Sequence, residues 1–178
     1  ASVLARVYPY DDLEGQLSER LAVLGRMDLT ASELPDEYKF RQTLTQEVAY
    51  ESLSFARRRA LHVRVGEDIE RHHSGDLAES YEVLARHFDE GRFFDKALVY
   101  LVKAGDKARD EFANQAALDD YQRALQVAAE LEDVDSIASQ VLDVLEAMGD
   151  VYLLISRYPE AVERFQQAIA HRLCDARR

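Results

Sequence analysis

Apolar residues recur at helical spacing along nearly the whole chain. Leu13, Leu17, Leu21 and Leu24 form one stripe on a helix expected over 12–24, and Gly25 stands where a glycine commonly ends a helix. The stretch 27–37 holds Asp28, Ser32, Pro35 and Asp36 and reads as turns. Residues 37–42 then alternate apolar and polar, the one segment that predicts a strand. Leu44, Val48 and Leu53, followed by Leu61, Val65 and Ile69, predict two helices or one bent one. The run His72-His73-Ser74-Gly75-Asp76 closes this block and marks the expected boundary between residues 1–75 and 76–178.

Beyond it the pattern predicts helix after helix, over 77–89, 94–112, 115–131, 137–156 and 159–172. The breaks fall at Asp89-Glu90-Gly91, Ala113-Asn114, Asp133-Val134-Asp135 and Arg157-Tyr158-Pro159. A register recurs inside this series. A small residue is followed twelve positions later by alanine: Ala85 to Ala97, Gly105 to Ala117, Gly149 to Ala161. An aromatic or leucine stands near each pair (Phe88 and Leu101, Tyr121, Tyr152 and Phe165). Two packed antiparallel helices need small residues where their backbones approach and a large one to fill the adjacent space. This set resembles the tetratricopeptide repeat, whose period is about 34 residues. The copies here lie 20 and 44 residues apart, so the helix around 97–108 is expected to serve two neighbours. The resemblance implies an all-α chain: a tetratricopeptide-like α-solenoid of about two and a half helix pairs over 76–178.

A second resemblance lies upstream, in YKFRQTLTQEVAYESLSFARRRALH, Tyr38 to His62. With the leucine helix and the Leu-Gly-Arg-Met-Asp-Leu turn before it, this string is similar to the end of the winged-helix segment of bacterial STAND-class signal-transduction ATPases. Such proteins join a P-loop ATPase, a winged-helix lever and helical repeats, and are often fused to an adenylate or guanylate cyclase or to a DNA-binding activator domain. The resemblance implies that residues 1–75 are the end of that lever, a small winged-helix remnant with one short strand or hairpin plus a linking helix. One position departs from the family: Gln42 stands where relatives place a histidine that can sense the nucleotide's phosphate. A neutral amide can donate a hydrogen bond but cannot titrate.

Charge and composition narrow the function. The chain of 178 residues carries a net −12, residues 76–178 a net −9 of it, which disfavours autonomous binding to a phosphate backbone. Uncharged runs stop at about seven residues, too short for a membrane span. One cysteine, Cys174, suits a reducing cytoplasm and is expected near a frayed end as an inert thiol. The chain opens without methionine or a signal peptide and reads as a segment of something longer.

Candidate chemistry is sparse. No Gly-Lys dipeptide exists, so the segment has no P-loop and no ATP hydrolysis by that route, nor does it hold a cyclase catalytic domain; we expect no enzyme, no catalytic residues and no cofactor. Asp68 and His72 are the one pair at i, i+4 metal-ligand spacing, and two ligands are too few for a metal. Arg57, Arg58 and Arg59 are expected as a solvated helix face with Glu51, Glu67 and Asp68 as partners. By resemblance, the inner face of the repeats maps to Glu79, Glu82, Arg86, Asp89 and Glu90 in the first copy and to Asp143, Glu146, Asp150, Leu153 and Leu154 in the last. Both sets are mostly acidic, which matches a basic peptide or protein surface. The expected function is a regulatory, protein-interaction segment coupled to an upstream ATPase domain, and a homo-oligomer stays open. A DNA-binding winged-helix transcriptional regulator whose repeats dimerise is the alternative.

Overall fold

The computed structural model describes residues 3–7, 14–32, 37–72 and 77–175. The chain divides into two compact units, residues 1–72 and 73–178. Among the described residues the architecture is all-α, apart from one pair of two-residue strands. Asp12, Leu13, Pro35 and Asp36, and the boundary residues His73 to Asp76, lie outside the described residues.

In the first unit, α1 (Val3–Val7) packs on α4 (Phe55–His72), and α2 (Glu14–Arg26) leads into β1 (Thr30–Ala31). The expected strand shrinks to β2 (Lys39–Phe40), which pairs antiparallel with β1 in the register Thr30–Phe40 and Ala31–Lys39. Thr30 and Ala31 belong to the stretch expected to be turns, and strand pairing with Lys39–Phe40 is what recruits them. Helix α3 (Thr43–Glu51) follows and buries none of its residues. Leu53, expected on a helix, lies in the turn between α3 and α4, so the block is two helices rather than one bent one.

Gly25 does not end α2 but lies inside it. The left-handed residue that reverses the chain is Asp28, φ 61°. Leu29 N–H donates to Leu24 O and Asp28 N–H to Gly25 O, each at 3.0 Å, the pair of bonds that satisfies the last helical carbonyls.

Among the described residues the second unit runs from a 3-10 turn (Leu77–Ser80) through α5 (Tyr81–Glu90), α6 (Phe94–Asp110), α7 (Asn114–Ala128), α8 (Val134–Leu154) and α9 (Tyr158–Asp175). Each of these helices packs on the next, so α6 is shared between α5 and α7, the arrangement the 20-residue interval implies. The core runs through them as Leu84 and Phe88, Leu98 and Leu101, Leu118 and Tyr121, and Val144, Met148 and Val151.

Three of the four connections have one geometry. Arg92, Phe112 and Ser156 take φ of 54°, 60° and 62°. The next residue in each case, Phe93, Ala113 or Arg157, donates its N–H back to Phe88, Ala108 or Tyr152 at 2.8 Å. Its own carbonyl then accepts from the register alanine, Ala97, Ala117 or Ala161. The twelve-residue spacing in the sequence is therefore one hydrogen-bonded helical hairpin used three times. The fourth connection, from α7 to α8, is a different turn, in which Asp133 caps α8 by accepting from Ser136 N–H at 3.2 Å. That extra hairpin stretches the second interval to 44. Phe112 was expected on the preceding helix, yet α6 stops at Asp110 and Phe112 projects from the turn. At the other end α9 runs on past Arg172 to Asp175, so the backbone of Cys174 is helical rather than frayed.

Candidate functional site

The residues assigned to an inner face lie as two separate stripes. Glu82, Arg86, Asp89 and Glu90 follow i, i+4, i+7, i+8 along α5, with Glu79 on the 3-10 turn before it. Asp143, Glu146, Asp150, Leu153 and Leu154 follow i, i+3, i+7, i+10, i+11 along α8. All but Asp89 and Glu146 are exposed. The partners of the first stripe come from α7 and a partner of the second comes from α9, so the structure does not gather the ten residues into one pocket.

On α5, Asp89 is held by Arg123 of α7 in a bidentate pair, Nε to Oδ2 at 2.6 Å and Nη2 to Oδ1 at 2.7 Å. Asp89 is thereby a strut between two helices, and its carboxylate is spoken for. The Arg123 guanidinium is held above its ordinary pKa by that hydrogen bond. Glu146 is met by Arg172 of α9 at 3.0 Å, a pair that water reaches and that is worth little to stability.

The α5 stripe instead continues onto α7 through residues that the sequence did not single out. Asp120 is half-buried between its neighbours, and its carboxyl is pushed up to about 6 by desolvation first and then by the charges of Glu82 and Asp119. Glu82, Asp119 and Asp120 thus form one anionic face across two helices. The adjacency of Asp119 and Asp120 was visible in sequence, but their approach to Glu82, 37 and 38 positions away, depends on how α5 and α7 share α6.

Gln42 lies on the surface at the start of α3, with extended backbone (φ −129°, ψ 130°) and no side-chain capping bond to the helix. The arginine run is not a uniformly solvated face. Arg58 lies over the rings of Tyr50 and Phe55, 5.0 and 4.7 Å from their centroids, and its Nε donates to Leu53 O at 3.1 Å. It clamps the α3–α4 turn, while Arg57 and Arg59 face solvent. Asp68, expected as their partner, is buried and taken by Arg6 of α1 through two bonds of 2.7 and 2.9 Å. The Arg6 guanidinium holds Asp68 below the usual carboxylate range, against the opposing effect of burial. His72 Nδ1 reaches the same carboxylate at 3.0 Å, so the pair with metal-ligand spacing is part of an ion-paired latch. Among the described residues no three His, Cys, Asp or Glu side chains come together as a metal site, and no helix is long and apolar enough to cross a membrane.

One apolar cleft of about 240 Å³ opens between α7, α8 and α9, lined by Leu125, Ala128, Leu131, Ile137, Val141 and His171. It holds no set of convergent polar groups that could orient a reacting molecule. No protein family, curated protein or solved structure matches the chain.

Proposed function

We propose that the chain is a non-enzymatic, protein-interaction segment of a multidomain signalling ATPase. In this reading α5–α9 are a tetratricopeptide-like array that receives a basic peptide or domain surface, and the first unit is the end of a winged-helix lever. Occupancy of the array biases the lever and, through it, the nucleotide state of the upstream domain. The observation that carries the reading is the anionic face on α5 and α7, where burial first, and then the charges of Glu82 and Asp119, push the Asp120 carboxyl up to about 6. A cationic partner would relieve that repulsion, so its binding gains from charges already held in place. The threefold helical hairpin supports the repeat assignment, since one turn geometry recurs at Arg92, Phe112 and Ser156. Gln42 leaves any nucleotide sensing at that position to hydrogen bonding alone, because its amide does not titrate. The whole reading is tested by titrating the chain with labelled amphipathic peptides that differ only in the sign of their charge. Preference for the basic peptide, weakened by Glu82→Lys, supports it; equal affinity for both overturns it.

A further inference from the structure

The outer side of α4 carries cations that no neighbour neutralises. Arg57, Arg64 and Arg71 are exposed and fall within about 40° of arc on an α-helix. The small, exposed Ala60 lies between the first two along the helix, so an approaching surface meets the guanidinium groups first. The acids expected to answer them are engaged elsewhere. Asp68 is bound by Arg6 at 2.7 and 2.9 Å. Glu67 lies 3.9 Å from Arg71, and its carbonyl accepts from Arg71 Nε at 3.1 Å. Among the described residues no carboxylate pairs with Arg57 or Arg64.

The α5–α7 face is the reverse. There Glu82, Asp119 and Asp120 gather like charges across two helices. Each surface carries the charge that the other is short of, and a solution of the chain holds both at equal concentration. Opposite patches of this kind steer encounter and select the partner. Two copies of net −12 repel at long range, but salt of about 0.15 M screens that repulsion beyond about 8 Å and leaves the short-range pairing of patches. Duplex nucleic acid is a poorer match, since its binding rests on many more cations than α4 offers.

We propose that two copies of the chain associate reciprocally, the outward arginines of α4 on each resting against the Glu82–Asp119–Asp120 face of the other. Such a partner presupposes the reading given above, that this face takes a cationic surface. A twofold dimer makes the contact twice. Helix α4 is about 27 Å long and about 10 Å wide, so two contacts counted on both partners come to about 1,100 Å², enough for a specific interface.

Sedimentation velocity in reducing buffer at about 0.15 M salt reads the association. The wild-type chain should shift reversibly from monomer to dimer as its concentration rises. Arg57→Glu with Arg64→Glu, or Glu82→Lys with Asp119→Lys, should each leave only monomer, with helical circular dichroism unchanged because all four side chains are exposed. Mixing the two variants should restore a dimer, since the reversed α4 of one then meets the reversed face of the other. Monomer at every wild-type concentration overturns the proposal, as does a dimer that survives either reversal or a mixture that stays monomeric. A lysine peptide separates this outcome from failure of the reading beneath it. A monomeric wild-type chain that binds the peptide sinks self-association alone, whereas one that binds neither sinks both. Duplex DNA bound by a monomeric chain through Arg57 and Arg64 assigns the stripe to a phosphate backbone and overturns the proposal as well.

Discussion

Tyr121 lies so closely over Gly105 that a Cβ on the glycine would stand 2.6 Å from the tyrosine Cε1. The same relation recurs 44 residues on, where a Cβ at Gly149 would stand 2.6 Å from Phe165 Cε1. In the first copy the equivalent residues are Ala85 and Leu101, where a smaller side chain opposite leaves room for a methyl group. The size exchange between the two positions is the physical content of the repeat.

The two aromatic rings differ in their freedom to yield. Tyr121 is fully buried and its hydroxyl donates to Asp106 at 2.7 Å, whereas Phe165 is only partly buried. Alanine gains about 1 kcal/mol over glycine in a helix, while overpacking a fixed core costs about 1–3. Gly105→Ala should therefore destabilise the chain by about 1 kcal/mol, and Gly149→Ala should be near neutral. Urea unfolding of the two variants measures the difference. Equal losses would show that Phe165 is held as firmly as Tyr121.

Phe112 is a bulky side chain in left-handed backbone with its ring in water. Replacement by glycine relieves the Cβ clash at a modest entropic cost and should stabilise the unit by about 0.5–1 kcal/mol. Arg92→Gly should gain less, since Arg92 also pairs with Glu130 at 3.4 Å and lies over the Phe94 ring. Thermal melts of the two variants, compared at one pH, check this order.

Asp120 links stability to pH. Its carboxyl is raised from 3.8 to about 6 in the folded chain, so the folded state binds a proton more readily than the unfolded state between those values. Stability at this site is therefore greatest in acid and falls as pH rises from about 4 to about 6. Asp120→Asn should stabilise the neutral-pH protein, by about 1 kcal/mol once solvent screening of a half-exposed carboxyl is allowed for. That advantage should fade as pH drops from 6 toward 4. An advantage that is flat with pH would point to a packing effect instead.

Asp68 has the opposite sign. Its lowered carboxyl contributes stability above the ordinary carboxylate range, and the contribution is lost as pH falls through the folded value. Because Arg6 and Asp68 tie α1 to α4, acid or Asp68→Asn should release the first helix. Tryptic cleavage after Arg6 in the variant should then become several-fold faster, with cleavage in α5–α9 unchanged.

Much of this fold was legible because it is built from local signals. Alternating small and large residues at a fixed offset located the hairpins at Ala97, Ala117 and Ala161, and the leucine stripe located α2. Glycine misled where it was read as a terminator: Gly25 and Gly91 stay in right-handed backbone, and the left-handed positions fall to Asp28 and Arg92. Chain reversal there is fixed by the 6→1 and 5→2 hydrogen bonds and by packing, strongly enough to impose positive φ on residues with a Cβ. The site was half legible. Glu82 and Asp89 could be placed on one helix face from spacing. Nothing local could show that Arg123 occupies Asp89, or that Asp120 meets Glu82, because both contacts cross from α5 to α7 over an intervening helix.

Selection of a cationic partner by the α5–α7 face, as proposed, is read by fluorescence anisotropy. A labelled amphipathic peptide with four lysines would be titrated with the chain beside its four-glutamate counterpart, at low and at physiological salt. The lysine peptide should bind more tightly, with affinity that weakens with salt and weakens further in a Glu82→Lys, Asp119→Lys variant. Indifference to peptide charge, or binding that this charge reversal leaves intact, would contradict it.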